Sequence, residues 1–88
     1  MTYKYRTRGT CSTAITIDLG DDHIINSVVY TGGCHGNTQG VAALVRGMKA
    51  EEAIARLSGI KCGFKGTSCP DQLANALKIM LAESAEEN

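Results

Sequence analysis

The period of the apolar pattern changes once along the chain, and this change limits the folds that it can adopt. Residues 3–9 and 13–19 alternate between faces, as half-buried strands do, and residues 24–31 are rich in β-branched side chains. From residue 41 onward, apolar residues recur with the spacing of amphipathic helices. Strands followed by helices predict an α+β fold, in which an antiparallel three-stranded β-sheet precedes two or three helices packed on one face.

Glycine-rich segments mark the predicted connections between these elements. Gly20-Asp21-Asp22 predicts a short acidic turn that joins residues 13–31 into an antiparallel hairpin. The segment Gly32–Gly36 contains three glycines and predicts the loop that leads from the last strand into the first helix. Residues 59–69 predict a second loop before the final helix.

Apolar side chains at helical spacing predict three faces that reach the core. The second helix is expected at about 50–57, and the last helix is expected to fray in residues 83–88. Pro70 suits the first position of the last helix, which makes Cys69 the predicted N-cap, with Ser68 beside it interpreted as a capping hydroxyl. The core-facing residues, helix by helix, are Val41, Leu44, Val45 and Met48; Ala53, Ile54 and Leu57; and Leu73, Ala76, Leu77 and Met80.

Length and charge narrow the class of protein. The chain has 88 residues, which predicts one domain over residues 1–88. Its nine basic and nine acidic side chains give a formal net charge of zero. Because general nucleic-acid binding needs an excess of basic charge, no nucleic-acid partner is expected. The first residues lack the apolar segment of a signal peptide, and no apolar run reaches membrane-spanning length. A cytoplasmic protein is therefore predicted.

The four cysteines are the main candidates for chemistry. Cys11, Cys34, Cys62 and Cys69 all fall in predicted loops or at a helix start, where backbone amides favour the thiolate. In a reducing compartment such residues suit metal binding better than disulfides, and four thiolates match the tetrahedral set of zinc or an iron–sulfur centre. Their spacing matches no zinc-ribbon pattern, so buried or unligated thiols remain an alternative. His35 could replace one cysteine, although a solvent-facing loop histidine is the favoured interpretation.

Two motifs resemble the TSCPD domain family. The run Thr67-Ser68-Cys69-Pro70-Asp71 spells the string for which that family is named, and the run from Thr31 to Asn37, followed by Gly40-Val41, is similar to its upstream motif. The resemblance covers nearly the whole chain. Such domains occur as small proteins and at the C-terminus of adenosylcobalamin-dependent ribonucleotide reductases. The resemblance therefore implies a link to ribonucleotide reductase and deoxyribonucleotide synthesis.

The order of elements also resembles the IscU/NifU type of iron–sulfur scaffold. By that resemblance Cys11, Cys34 and Cys69 correspond to the scaffold's three cysteine ligands. Thr13 stands where the scaffold has an acidic residue and Ser68 where it usually has histidine, while Cys62 has no counterpart. Loss of the acidic residue argues against cluster delivery, and a fourth cysteine favours a closed site, with zinc preferred over an iron–sulfur cluster.

The predicted function is a metal-binding accessory module with Cys11, Cys34, Cys62 and Cys69 as ligands, which acts with ribonucleotide reductase. The chain is too small to be that enzyme by itself. The alternatives are a thiol-redox partner that works through Cys62 and Cys69, or a partner subunit that binds a nucleotide at the start of the last helix. An exposed first strand bearing Tyr3 and Tyr5 would allow a homodimer, which the sequence does not require.

Overall fold

The fold is a three-stranded antiparallel sheet followed by helices. The structure, a computed structural model, describes residues 1–9, 12–32, 35–61 and 66–87, with the backbone alone for 35–37 and 84–87. Within these ranges the sheet has the order β1-β2-β3. The predicted α+β class is confirmed. The elements are β1 (Thr2–Arg6), β2 (Ser12–Leu19), β3 (Ile25–Gly32), α1 (His35–Val45), α2 (Ala50–Leu57) and α3 (Cys69–Glu87).

The predicted hairpin is confirmed as β2 and β3. Ile15 lies opposite Tyr30 in the antiparallel register, and His23 in the connecting turn has a φ of 66°. The turn is closed by the Ile24 amide, which donates to the Asp22 carboxylate over 3.0 Å. A short polar segment therefore reverses the chain between two strands that bury their apolar side chains.

β1 is shorter than the predicted span of residues 3–9, because the chain leaves the sheet after Arg6. Thr7 still donates its amide to the Thr13 carbonyl, but the Arg8 amide donates to the Gln72 side chain of α3. At Arg8, the chain after β1 is therefore hydrogen-bonded to α3 and not to β2.

The core lies between one face of the sheet and the helices. Ile15 and Ile17 of β2 are fully buried, as is Leu77 of α3. The α3 stripe predicted from its spacing is confirmed, since Leu73, Ala76, Leu77 and Met80 are each 0% exposed. The opposite face of the sheet carries exposed Lys4 and Arg6, and none of the described helices packs against it.

In α1, the prediction that Leu44 faces the core is wrong. Leu44 is 77% exposed, whereas Thr38 and Val45 are buried and Val41 packs partly against the core. The buried face therefore follows the spacing Thr38, Val41, Val45, and Leu44 lies about 100° away from Val45 around the helix axis. A polar threonine occupies a position that an apolar pattern cannot reveal.

The segment after α1 binds the beginning of β3. The Ile25 amide donates to the Met48 carbonyl over 2.9 Å, and the Gly47 amide donates to the Ile25 carbonyl over 2.8 Å. The Ala50 amide then donates to the carbonyl of His23, so that α2 starts directly beside the hairpin turn. α2 has the predicted bounds and packs its partly buried Leu57 against the core.

The predicted fraying of the last helix is wrong, because α3 continues to Glu87. Apart from Ser84, its last turns are built from Leu, Ala and Glu, which are strong helix formers. Among the helices of the described ranges, none has the length and apolar character needed to cross a membrane.

Candidate functional site

Ser68, and not Cys69, caps α3. Its hydroxyl oxygen accepts the Asp71 amide at 3.2 Å, and its carbonyl accepts the Gln72 amide at 2.9 Å. The capping hydroxyl predicted for Ser68 is thus confirmed, and the predicted N-cap at Cys69 is one residue too late. A hydroxyl oxygen is a better acceptor than a thiol, which explains why the cap falls on Ser68. Ser68 also donates to the Ile60 carbonyl over 2.6 Å.

Asp71 ties the start of α3 to the segment that precedes it. Its carboxylate accepts hydrogen bonds from the Thr67 hydroxyl and, at 2.7 Å, from the Gly59 amide. These two bonds, the one from Thr67 first, lower the pKa of Asp71 below its ordinary value, with a smaller contribution from nearby Lys78 and Lys61. The carboxylate also lies in the first turn, where it complements the helix dipole.

Cys69 is buried in a small polar environment at the same place. Only 5% of the residue is exposed, and its Sγ lies 3.2 Å from the hydroxyl oxygen of Ser12. The Tyr30 hydroxyl, from β3, donates to the Cys69 carbonyl over 3.0 Å. Burial, and secondarily the negative charge that Cys69 can carry, raise the pKa of Tyr30 well above its ordinary value. Tyr30 therefore acts here as a neutral hydrogen-bond donor.

The connection between β1 and β2 packs against this helix start. The buried Thr7 hydroxyl donates to the Ser12 carbonyl, and the Gln72 side chain accepts the Arg8 amide at 3.1 Å while donating to Thr67. Gly9 has a φ of 73°, and a Cβ there would lie 3.1 Å from the Thr67 methyl carbon. Glycine is thus favoured by the backbone conformation, and any other residue would also crowd the Thr67 methyl group, which would have to shift by a few tenths of an ångström.

Of the predicted metal ligands, the structure describes only Cys69. Cys11, Cys34 and Cys62 lie outside the described residues, and so does the side chain of His35, whose backbone begins α1. Within the described part of the chain, no three His, Cys, Asp or Glu side chains are grouped closely enough to hold a metal ion. The four-cysteine site stays a prediction.

A model of the TSCPD domain family matches residues 1–81. The chain belongs to the TSCPD domain family. Both motifs that carried the resemblance fall inside the matched range. No curated protein and no solved structure matches the chain.

The string Thr67–Asp71, for which the TSCPD domain is named, forms the start of α3. Thr67 donates to Asp71, Ser68 is the cap, Cys69 and Pro70 are buried, and Asp71 holds the preceding loop. Four of the five side chains therefore have a local structural role, and the fifth, Cys69, places its buried thiol beside the Ser12 hydroxyl.

Sequence reasoning missed Ser12 and Tyr30 as neighbours of Cys69. Tyr30 shares the inner face of β3 with Val28, so its direction could have been predicted from strand alternation. No local signal in the sequence connects Ser12 with Cys69, because the contact joins residues that are 57 positions apart. It depends on how α3 crosses the end of the sheet.

Proposed function

We propose that this TSCPD domain is a metal-binding accessory module in which Cys11, Cys34, Cys62 and Cys69 are the ligands. Zinc is the preferred metal, with an iron–sulfur cluster as the second choice. The proposal rests on one observation above all. Within one or two positions of each of the other three cysteines lies a described residue that contacts Cys69, pairs with Ser12 or is hydrogen-bonded to Ser68.

Three contacts make up this observation. Ser12, which follows Cys11 in the sequence, lies 3.2 Å from the Cys69 sulfur through its hydroxyl. Gly32, two residues before Cys34, pairs with Ser12 across the sheet. The carbonyl of Ile60, two residues before Cys62, accepts the Ser68 hydroxyl.

Chain length then restricts where the four cysteines can lie. Two residues of fully extended chain reach at most about 7 Å. Each of the three cysteines is thus within two residues of an anchor at the end of the sheet where α3 begins. This restriction favours a shared site over four separate thiols.

The surroundings of Cys69 suit a thiolate ligand. Cys69 is the first residue of α3, where backbone amides and the helix dipole stabilise negative charge. If the thiol is ionised, the hydroxyl of Ser12 must be the donor to it, and such outer hydrogen bonds orient metal ligands. Four thiolates complete a tetrahedral zinc site, in which zinc holds the loops together.

Binding is favoured over delivery of a cluster to another protein. Thr13 and Ser68 occupy the positions at which the IscU/NifU-type scaffolds have non-cysteine ligands. In this chain both hydroxyls donate to main-chain carbonyls, Thr13 to that of Thr31 and Ser68 to that of Ile60. Neither supplies a carboxylate or imidazole to help a labile cluster leave, which supports a retained metal.

Ribonucleotide reductase is the proposed partner, by way of the family. The support is the membership of the chain in the TSCPD domain family, whose domains also form the C-terminal part of adenosylcobalamin-dependent reductases. The chain would act beside such an enzyme as an accessory module. Co-purification of the full chain with a purified reductase, compared between metal-loaded and metal-free protein, tests this association separately from metal binding.

Metal analysis of anaerobically purified protein, combined with an absorption spectrum, tests the metal site. We expect bound zinc without colour, or a visible spectrum if a cluster is bound. Cys69→Ser should lose most of the metal, whereas Ser58→Ala, which changes an exposed side chain at the end of α2, should keep it. Metal-free protein that fails to take up added zinc, with thiols that all react freely, would contradict the proposal and favour the thiol-redox alternative.

A further inference from the structure

A polar groove lies along the exposed face of β1 and extends to Ser12, beside the start of α3. It has a volume of about 640 Å³, and its described walls include Lys4 and Arg6 of β1, Ser12, Thr13 and Ala14 of β2, and Thr31 of β3. Among the described residues that line it there is no carboxylate.

The two cations in this groove are not neutralised by the described part of the chain. In the described part of the chain, ion pairs join Met1 to Asp18, His23 to Glu51 and Arg56 to Glu52. None of these pairs includes Lys4 or Arg6. Both side chains are exposed and project from the same face of β1. Residues two apart on a strand are separated by roughly 7 Å, so both head groups can reach one anion between them.

The hydroxyl groups of the groove complete its polar lining. Thr7 donates to the Ser12 carbonyl and Thr13 donates to the Thr31 carbonyl, so these two side chains shape the wall. The charged donors for a ligand are therefore the ammonium of Lys4 and the guanidinium of Arg6, and the exposed Thr31 also lines the groove. Arginine offers paired donors that match phosphate oxygens, and lysine offers a compact charge.

The composition of the groove favours a small ligand over a protein chain. Protein interfaces rely on buried aromatic and aliphatic anchors, whereas Ala14 is the apolar member of this lining. The volume lies within the range of small-molecule sites, about 300–1,000 Å³. Among the described residues of the lining there is no aromatic side chain on which a nucleobase could stack, so these residues recognise a ligand through charge and hydrogen bonds.

We propose that this groove binds a phosphate-bearing small molecule through its phosphate groups, which are held between Lys4 and Arg6. A ligand with two or more linked phosphates fits best, since two cations line the groove. Lys4 and Arg6, which hold the phosphates, are not among the proposed metal ligands.

Binding is tested by titrating the full chain with inorganic pyrophosphate and following backbone amide signals by NMR, at about 0.15 M salt to screen weak surface attraction. Phosphate, ATP and adenosine are titrated in parallel to identify the part of a ligand that is recognised. We expect saturable shifts at β1 and at Thr31, with pyrophosphate and ATP binding more tightly than phosphate and adenosine not binding.

The variant Lys4→Gln/Arg6→Gln should raise the Kd for pyrophosphate at least about tenfold. Its matched control, Arg46→Gln/Lys49→Gln, removes two exposed cations at the opposite end of β3 and should leave the Kd within about twofold. Absence of saturable binding, or equal loss in both variants, would overturn the proposal. A glutamate-rich peptide that binds the groove more tightly than pyrophosphate would overturn the small-ligand assignment.

Discussion

Single side chains at the start of α3 join segments that are distant in the sequence. Gln72 accepts the Arg8 amide from 64 positions earlier, and Ser12 contacts the Cys69 sulfur from 57 positions earlier. Tyr30 reaches the Cys69 carbonyl from the sheet. Because these groups are largely buried, removing one partner leaves another polar group without its hydrogen bond, which costs more than an exposed contact would.

Asp71 is the residue whose charge matters most clearly to the fold. We expect Asp71→Asn to lower the free energy of unfolding by about 1 kcal/mol at neutral pH, because the amide replaces a charged acceptor of the Thr67 and Gly59 bonds. Chemical denaturation with urea measures this difference. Asp21→Asn, which changes an exposed carboxylate in the hairpin turn, serves as control and should alter stability by less than about 0.5 kcal/mol.

The effect of Asp71→Asn should also depend on pH in one direction. Since the fold lowers the pKa of Asp71, its stabilising contribution is complete above the ordinary value of 3.8. That contribution is lost as pH falls through the lower folded value, where the carboxyl becomes protonated. Wild-type and variant stabilities should therefore converge once the pH lies below the folded pKa of Asp71. A difference that stays constant down to that pH would show that the charge of Asp71 does not stabilise the fold.

At the scale of elements, the sequence predicted α3 well because its apolar spacing is dense and regular. Leu73, Leu77 and Met80 can face only one side of a helix, and that side is buried. In α1 the spacing was ambiguous, since the apolar residues Leu44 and Val45 lie on adjacent sides. The buried position of Thr38 decides between them, and it depends on packing against β3 that no local pattern encodes.

Two of the helical leucines, Leu77 and Leu44, provide a matched test of this assignment. Leu77→Ala should lower the free energy of unfolding by about 3 kcal/mol, because it leaves a cavity in the core. Leu44→Ala removes the same atoms from a residue that is 77% exposed and should change stability by less than about 0.5 kcal/mol. Thermal or urea unfolding compares the two. A large loss in Leu44→Ala would contradict the orientation of α1.

At the scale of the whole molecule, the site was less predictable than the fold. Cys69 and Ser68 could be placed at a helix start from Pro70 and the apolar stripe that follows. Their neighbours Ser12 and Tyr30 could not, since these contacts follow from the strand register and from the path of α3 across the sheet. Sequence patterns specify elements through local spacing, whereas a site between elements depends on tertiary packing.

The contacts between layers predict that the sheet and the helices unfold together. The segment after α1 is hydrogen-bonded to β3 through Ile25, and α3 is bound to the β1–β2 connection through Gln72. The apolar face of the sheet is also covered by α3, so neither layer retains a core without the other. A single cooperative transition is therefore expected, as for most domains of this size.

The chain supplies separate probes for the two layers. Its three tyrosines, Tyr3, Tyr5 and Tyr30, all lie in strands, and it has no tryptophan, so tyrosine fluorescence reports on the sheet. Far-ultraviolet circular dichroism reports mainly on the helices. In urea, both signals should give the same midpoint, with a common slope of about 1 kcal/mol per molar urea. Leu77→Ala should move both curves by the same amount, because its cavity lies in the shared core. If the tyrosine signal changes at a lower urea concentration than the helical signal, the sheet and the helices are not one cooperative unit, and the contacts through Ile25 and Gln72 are weaker than their geometry indicates.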